Sequence, residues 1–298
     1  MTATSSSSTS RATASALALA RSFLFVPANR PDRYAKALAT GAGAVIIDLE
    51  DAVAAADKSV ARDQLAMGFA ALPATDRKRL LVRINASGTA WHGDDLKLLR
   101  DLTAAGLAGV VLPKAESAGQ VRTLAAYTGE AVLLPMLESA ASLDALADIA
   151  AAPQVLRLVF GNIDFQADLG MACGGDEAEL QPVRFALVLA SRRAGIAPPV
   201  DGVTVATGDA TRVHEDALRG RRSGFGAKLC IHPSQLAQVQ RAFAPTDAEL
   251  AWAQRVVDGS RQSGGAVFTL DGKMVDAPVL RLAGHTLAMA GPGGAAAG

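Results

Sequence analysis

Short apolar segments alternate with longer segments of helical periodicity along most of the chain. Helix signals lie between the apolar segments, such as Pro31 in a first turn and Ser117 or Ser139 before a periodic stretch. The eight predicted strands are Ser22–Val26, Ala44–Leu49, Leu80–Asn85, Gly109–Pro113, Ala131–Leu137, Val155–Gly161, Pro199–Val205 and Ala227–Ile231. Eight βα units in one core predict a parallel α/β barrel of the TIM type, a fold of about 250 residues. A doubly wound open sheet is the alternative.

The same pattern divides the chain into four parts. Residues 1–20 are rich in Ser, Thr and Ala and contain one charged residue, Arg11, which predicts a disordered tail. An organellar presequence is the alternative interpretation. Residues 21–245 are predicted to form the barrel and residues 246–290 extra C-terminal helices. Residues 291–298, which begin Gly-Pro-Gly-Gly, are predicted to form a second flexible tail.

Composition and charge exclude several classes of protein. Half of the 298 residues are apolar, which supports a large core, and 29 basic residues balance 29 acidic ones. Since no net field attracts polyanions, nucleic acid and anionic membranes are not expected partners. No apolar run reaches the roughly 20 residues that cross a bilayer. Cys173 and Cys230 lie far apart, which predicts buried thiols in a reducing, cytoplasmic setting rather than disulfides or a zinc site.

Charged and polar residues follow nearly every predicted strand. In a TIM barrel the active site is built at the carboxyl ends of the strands, so these residues are the candidates for chemistry. A helix cap is the simpler interpretation of any single position. The residues at six strand ends are Asp48-Leu49-Glu50-Asp51, Arg83-Ile84-Asn85, Pro113-Lys114, Leu137-Glu138, Asn162-Ile163-Asp164 and Ile231-His232-Pro233.

Glu138 and Asp164 end adjacent strands, so both carboxylates are expected to face one cation over the barrel. A cation held by two carboxylates, with water in its other coordination positions, is more typical of Mg²⁺ than of zinc. The alternative is that both residues are helix caps. Glu50 and Asp51 are candidates to hold metal-bound waters, or else they form a solvated acidic turn. Arg83 is predicted to hold a carboxylate or enolate oxygen, with an ion pair to Glu50 or Asp51 as the alternative.

Other chemistries have weaker support. His232 lies between Ile231 and Pro233, and a structural role is the favoured interpretation. The chain has no Gly-x-Ser-x-Gly motif, and neither cysteine has a base beside it in the sequence, so covalent catalysis is not indicated.

Between about Arg21 and Ala290 the chain resembles the β-subunit of citrate lyase and its CoA-ester lyase relatives in the HpcH/HpaI aldolase superfamily. The segments that carry the resemblance are Arg21-Ser22-Phe23-Leu24-Phe25-Val26-Pro27, Asp48-Leu49-Glu50-Asp51-Ala52-Val53 with Lys58, Arg83-Ile84-Asn85, Leu112-Pro113-Lys114, Pro135-Met136-Leu137-Glu138-Ser139, Gly161-Asn162-Ile163-Asp164, Ile231-His232-Pro233-Ser234-Gln235 and Asp271-Gly272-Lys273-Met274-Val275-Asp276-Ala277-Pro278.

The resemblance implies a TIM barrel that binds Mg²⁺, or Mn²⁺, through Glu138 and Asp164, with Arg83 on the substrate. It also implies that Asp276 lies on a C-terminal lid, which covers the site of a neighbouring subunit, and acts there as the acid or base on the acetyl carbon that becomes the enolate carbon. The chain would then be a homo-oligomer, a trimer or a hexamer. Arg21 and Arg30 are weaker candidates for binding CoA phosphates or the substrate carboxylate.

The leading hypothesis for function is cleavage of a 3-hydroxyacyl-CoA of the citryl-, malyl- or citramalyl-CoA type to an acyl-CoA and a 2-oxoacid. The alternatives are a malyl-CoA-type thioesterase, a citrate lyase β-subunit acting on an acyl carrier protein, and a metal-dependent aldolase acting on free hydroxy-keto acids.

Overall fold

The computed structural model describes residues 3–290, with side chains described from Arg11 onward. In this part of the chain, eight parallel strands close into a barrel in chain order, with the eighth hydrogen-bonded to the first. The barrel strands are β1 (Ser22–Pro27), β2 (Ala44–Asp48), β3 (Leu80–Arg83), β4 (Gly109–Leu112), β5 (Val132–Leu137), β6 (Val159–Phe160), β7 (Val200–Asp201) and β8 (Ala227–Cys230). The predicted TIM barrel is confirmed, and the open sheet is wrong because β8 pairs with β1.

Helices follow the strands around the barrel and continue beyond it. They are α1 (Ala3–Leu19), α2 (Tyr34–Ala39), α3 (Lys58–Ala70), α4 (Ala74–Arg77), α5 (His92–Ala104), α6 (Ala118–Ala125), α7 (Ala140–Asp144), α8 (Leu146–Ala150), α9 (Asn162–Leu169), α10 (Gln181–Ala194), α11 (Ala210–Arg222), α12 (Leu236–Phe243), α13 (Asp247–Gln262) and α14 (Ala277–Ala290). Within residues 3–290, no helix has both the length and the apolar character needed to cross a bilayer.

Local sequence signals explain where several of these elements begin and why the strands are buried. Ser117 and Ser139 cap α6 and α7 through reciprocal capping boxes with Gln120 and Ser142. Every residue of β2, β3, β4 and β8 is buried, because the barrel interior covers one face of a strand and the helices cover the other. Cys173 and Cys230 are both free thiols, as predicted; Cys230 is buried, but Cys173 is only partly buried, so its predicted burial is wrong.

The segment before β1 differs from its prediction as a disordered tail over residues 1–20. Residues Ala3–Leu19 form α1, and Leu17 and Ala20 are buried in the apolar core of the barrel. The fully buried guanidinium of Arg157 donates to the carbonyl oxygens of Ala20 at 2.7 Å and Leu17 at 3.3 Å. A buried cation needs such acceptors, so the end of this segment belongs to the barrel. The predicted tail over residues 291–298 lies outside the described residues.

The chain divides into two compact units between Arg241 and Ala242. This division falls inside α12, a few residues before the boundary predicted at residues 245 and 246. In the second unit, α13 begins at a capping box between Thr246 and Glu249. A hairpin of β9 (Phe268–Leu270) and β10 (Lys273–Val275) turns through Asp271-Gly272, both at positive φ, and precedes α14. The apolar cluster of this unit is built on Ala253, Val256, Val275 and Ala283.

Because the end of the N-terminal segment packs in the barrel core, we predict different losses of stability for substitutions at its buried and its exposed leucine. Leu17→Ala should lower the free energy of unfolding by roughly 2–4 kcal/mol, because it empties a packed site in the core. Leu19→Ala is the control, because that side chain is 67% exposed, and it should change the free energy by less than about 0.5 kcal/mol. Urea denaturation of the full chain measures both variants. Equal stability of the two would show that the segment does not pack on the barrel.

Candidate active site

The carboxyl ends of the barrel strands surround a cavity of about 360 Å³. Its lining combines acidic side chains, one arginine and an apolar surface, which is typical of a ligand site at this end of a TIM barrel. The lining residues are Phe25, Pro27, Asp48, Asp51, Ala52, Arg83, Met136, Glu138, Gly161, Asn162, Ile163, Asp164, Val203, Leu229 and Ile231. The structure therefore brings together Asp51, Arg83, Glu138 and Asp164, four of the residues predicted for the site.

A buried ion pair between Asp48 and Arg83 forms one side of the cavity. Arg83 Nε and Nη2 donate to the two carboxylate oxygens of Asp48 at 2.7 and 2.6 Å. Asp48 also accepts from the backbone N–H groups of Glu50 at 2.9 Å and Ala52 at 3.1 Å, which fixes the turn after β2. The guanidinium lies over the Phe25 ring, 4.7 Å from its centroid. The carboxylates around Arg83 raise its pKa, so it stays protonated.

Sequence reasoning assigned no role to Asp48, although a signal was present. Asp48 and Arg83 are the last residues of β2 and β3 and are register partners in the parallel ladder. An aspartate and an arginine at neighbouring strand ends, each after an all-apolar run, predict a cross-strand pair once the register is known.

Glu50 and Asp51 contact Arg83, as the alternative interpretation of Arg83 predicted. Arg83 Nη1 lies 3.0 Å from Glu50 Oε2 and 3.4 Å from Asp51 Oδ2. Glu50 Oε2 is nevertheless a buried atom without a hydrogen-bond partner, so this contact is an ion pair of poor hydrogen-bond geometry. Burial, assisted by Asp51 and Asp48, raises the pKa of Glu50 to about 7 against the opposing effect of Arg83. The role of Glu50 and Asp51 in holding metal-bound waters stays a prediction.

Lys58 holds the turn that carries these carboxylates. Its buried ammonium donates to the carbonyl oxygens of Leu49 and Glu50, both at 2.6 Å, and lies 5.2 Å from the centre of the Trp91 ring. Burial lowers the pKa of Lys58, and the nearby carboxylates oppose that effect. The lysine therefore acts as a scaffold below the site.

Glu138 follows β5 and directly precedes Ser139, the N-cap of α7. Its side chain is buried against the backbone of Lys114 and of Gly161. Its Oε2 accepts the backbone N–H of Lys114 at 2.8 Å. A Cβ on Gly161 would lie 2.3 Å from Glu138 Cγ, so only glycine allows the carboxylate to occupy this position. Burial, together with the charges of Glu50 and Asp164, raises the pKa of Glu138 to about 8. Asp164 lies in the first turn of α9 and lines the same cavity.

Lys114 is a second residue to which sequence reasoning gave no role. Its backbone is left-handed, with φ of +47°, a conformation that costs a non-glycine residue about 1 kcal/mol. That conformation accompanies the N–H contact to Glu138, while Nζ lies 3.5 Å from Glu50 Oε1. One residue thus supports two of the carboxylates, at the cost of backbone strain near the site.

The donor set of the cavity fits a divalent cation. Glu138 and Glu50 have raised pKa values because burial and neighbouring carboxylates disfavour their charged forms, and a cation would offset both effects. Among the described residues, no group of three acidic, histidine or cysteine side chains converges as a complete metal site. Glu138 and Asp164 would therefore share the ion with water and substrate oxygens, the arrangement that Mg²⁺ commonly adopts.

The remaining predicted site residues lie elsewhere. Arg21 precedes β1, so it lies at the amino end of the barrel, opposite the cavity. The prediction that Arg21 binds substrate in this cavity is therefore wrong. Arg30 follows β1 at the carboxyl end, but its guanidinium pairs with Asp32 at 2.9 Å. His232 contacts Ser234 Oγ through Nδ1 at 2.7 Å and caps a short helix, which confirms its structural role. Asp276 lies in the second unit, where Oδ1 accepts from Val279 N–H at 3.3 Å at the start of α14.

Comparisons with known proteins identify the family. The model of the HpcH/HpaI aldolase/citrate lyase family matches residues 21–233. The chain belongs to this family. A citrate lyase subunit beta-like protein of Mycobacterium tuberculosis is 39% identical over 274 residues, which cover 90% of this chain and 95% of the relative. The resemblance seen in the sequence is thus confirmed, and the family places the chain among the lyases.

Two further members of the HpcH/HpaI aldolase/citrate lyase family show the range of reported ligands and activities. A (3S)-malyl-CoA thioesterase of Cereibacter sphaeroides is 32% identical, with 91% of this chain and 94% of the relative covered. The crystal structure of CitE from M. tuberculosis in complex with magnesium, acetoacetate and coenzyme A superposes with a TM-score of 0.79 at 38% identity. The superposition covers 91% of this chain and 98% of that one.

Asp48 and Asp51 both contact Arg83, but Asp48 is its main buried partner. We therefore predict that removing the charge of Asp48 lowers stability much more than removing the charge of Asp51. Asp48→Asn should destabilise the barrel by about 3 kcal/mol or more, because it leaves a buried guanidinium without its main partner. Asp51→Asn is the matched control, since the Asp51 side chain is 58% exposed, and it should cost less than about 1 kcal/mol. Urea denaturation curves compare the two. A similar loss in both variants would contradict the central role of Asp48.

Proposed function

We propose that the protein is a Mg²⁺-dependent carbon–carbon lyase that cleaves a 3-hydroxyacyl-CoA with a carboxylate on the hydroxyl-bearing carbon, giving an acyl-CoA and a 2-oxoacid. The observation that carries this proposal is the placement of Glu138, Asp164 and Arg83 around one cavity at the carboxyl end of the barrel. Family membership and the magnesium and coenzyme A in the CitE structure support it.

Each of these residues has a distinct task in the proposed reaction. Glu138 and Asp164 hold Mg²⁺, which when bound supplies a Lewis acid for the substrate oxygen atoms. Asp48 fixes Arg83 through Nε and Nη2, and Nη1 then reaches a carboxylate or thioester oxygen of the substrate. The backbone N–H of Lys114 holds the Glu138 carboxylate in place.

Cleavage breaks the bond between the hydroxyl-bearing carbon and the α-carbon of the thioester. The hydroxyl releases its proton to water and becomes the keto group of the 2-oxoacid, and the electron pair of the broken bond stays on the α-carbon as a thioester enolate. We propose that Asp276 protonates this carbon in the site of a neighbouring subunit, as the resemblance implies, in a trimer or hexamer. Its free oxygen Oδ2 is suited to this task, because Oδ1 accepts the Val279 N–H.

Hydrolysis of the thioester is the second candidate function, because a relative of similar coverage is a (3S)-malyl-CoA thioesterase. A citrate lyase β-subunit acting on a carrier-protein thioester is the third, because one relative, from Leuconostoc mesenteroides, is a citrate lyase subunit beta. With CoA thioesters as substrates, the first two functions release different products, and a β-subunit that needs a carrier-protein thioester releases none, so one assay separates the three.

Turnover of citryl-, malyl-, methylmalyl- and citramalyl-CoA with Mg²⁺, followed by mass spectrometry, tests the proposal. Acyl-CoA plus 2-oxoacid supports the lyase, whereas free CoA with intact hydroxy acid supports the thioesterase. Glu138→Gln and Asp164→Asn should each lower turnover more than about a hundred-fold, because each removes a charge that holds the ion. Asp101→Asn, at an exposed carboxylate on α5, is the control and should keep full turnover. Unchanged turnover in the first two variants overturns the metal assignment.

Asp276→Asn tests the proposed proton transfer separately from binding. The variant should bind the 2-oxoacid as tightly as the native protein, because Glu138, Asp164 and Arg83 are unchanged. It should lose deuterium exchange from D₂O into the methyl group of acetyl-CoA, because the amide cannot transfer that proton. Asp258→Asn, on α13 of the same unit, is the control. Normal exchange in Asp276→Asn removes this residue from the mechanism.

A further inference from the structure

Asp164, one of the two proposed metal carboxylates, depends on the backbone of α9 for its orientation. Within the described part of the chain, no hydrogen bond fixes the Asp164 carboxylate, whereas Glu138 accepts the Lys114 N–H. Asp164 is the third residue of α9, so the direction of its side chain follows from the position of the first turn of this helix. The contacts of that turn therefore decide whether both carboxylates face one cation.

Asn162, the first residue of α9, anchors the turn that carries Asp164. Its buried side chain pairs with the backbone of Val203 in both directions, with Oδ1 accepting at 2.9 Å and Nδ2 donating at 3.2 Å. A Cβ on Gly202 would overlap the Asn162 amide, so the chain after β7 is shaped around this side chain. Nδ2 also donates to Glu177 Oε1 at 3.1 Å. Among the described residues, Glu177 is the one side chain that hydrogen-bonds to the Asn162 amide.

Glu177 occupies its position at the cost of backbone strain. It lies between α9 and α10 with a left-handed backbone, at φ of +48°, which is unfavourable for a residue other than glycine. Lys114 has the same conformation, at φ of +47°. Lys114 holds Glu138 through its own N–H, and Glu177 contacts the turn of α9 that carries Asp164. A strained residue thus stands behind each proposed metal carboxylate, which is where strain is commonly stored.

Two arginines hold Glu177, and each of them has a second carboxylate partner. Glu177 Oε2 accepts from Arg184 Nη2 and from Arg219 Nη2, the latter at 2.8 Å. Arg184 also donates through Nε to Asp201 at 3.1 Å. Arg219 also donates through Nη1 to Asp216 at 2.8 Å. Since each guanidinium keeps a buried carboxylate without Glu177, the arginines hold one oxygen of Glu177 while its other oxygen stays directed at α9.

We infer that Glu177 is a positioning residue of the metal site: its contact with Asn162 holds the first turn of α9, and with it Asp164, in the orientation that binds the cation. This inference rests on the proposed function. Asn162 transmits the constraint because it lies two residues before Asp164 in the same turn and its amide is fixed on two sides, by Glu177 and by Val203. Glu177 does not line the cavity, so it acts through Asn162 and touches neither cation nor substrate.

Binding of Mn²⁺ to the full chain, measured by electron paramagnetic resonance, tests the inference without turnover, because Mn²⁺ takes the same oxygen ligands as Mg²⁺. In Glu177→Gln the arginines hold the amide oxygen, so the amide N–H₂ faces the Asn162 Nδ2 donor and the contact is lost. The dissociation constant for Mn²⁺ should rise by about ten-fold or more. Glu179→Gln makes the same change at an exposed residue and should leave the constant unchanged. An unchanged constant in Glu177→Gln overturns the inference.

The dependence of turnover on Mg²⁺ concentration separates positioning from a loss of folded protein. In Glu177→Gln the KM for Mg²⁺ should rise by about ten-fold, while kcat at saturating Mg²⁺ stays within about two-fold of the native value, because excess ion compensates for weaker binding. A kcat that is lower at every Mg²⁺ concentration, with an unchanged KM, would give Glu177 a structural role only and overturns the inference.

A second variant, Glu177→Asp, decides the question if Glu177→Gln does not fold. Aspartate keeps the charge beside Arg184 and Arg219 and tolerates a left-handed backbone. Its side chain is one carbon shorter, so it does not span the distance from the arginines to Asn162, and Mn²⁺ binding should again weaken by about ten-fold. Native binding in this variant overturns the inference.

The native protein distinguishes a failure of this inference from a failure of the proposed function. If it binds Mn²⁺ but cleaves and hydrolyses no thioester, the proposed function fails, while the comparison of Glu177→Gln with Glu179→Gln still decides the role of Glu177. If it binds no Mn²⁺, the metal assignment fails and this inference fails with it.

Discussion

The buried ion pair between Asp48 and Arg83 is the interaction on which the site depends. A guanidinium at the end of β3 is removed from water by the barrel and by the Phe25 ring, so it needs a carboxylate in fixed geometry. Asp48 supplies that carboxylate from the neighbouring strand and also holds the turn that presents Glu50 and Asp51. The pair therefore fixes one side of the cavity and leaves its carboxylates in excess over its cations.

That excess of negative charge connects the scaffold to the proposed chemistry. The backbone positions Glu138. The Lys114 N–H donates to its carboxylate, and Gly161, which has no side chain, leaves room for it on the other side. The raised pKa values of Glu138 and Glu50, two buried carboxyls beside further carboxylates, describe a site that a cation would stabilise. The left-handed backbone of Lys114 adds local strain, so stability is reduced at the position that orients the carboxylate.

The opposite half of the barrel end has a different physical character. There Asn162 and Gln235 hydrogen-bond to the backbone of Val203, Thr204 and Ile231, and the lining after β7 and β8 includes Val203, Leu229 and Ile231. One barrel end thus combines a charged side suited to oxygen atoms with an apolar side.

The sequence by itself determined the eight strands, the barrel and the two metal-binding candidates, because apolar periodicity and the residue that follows each strand are local properties. It could not show the partner of Arg83, since Asp48 meets it only through the register of β2 and β3. It treated Leu17 as part of a tail, because burial depends on contacts with distant residues such as Arg157. It also made Arg21 a candidate for substrate binding, although this residue precedes β1 and lies at the amino end of the barrel. Only the closed barrel decided which carboxylates share a cavity and which apolar side chains line it, because side chains far apart in sequence become neighbours when β8 pairs with β1.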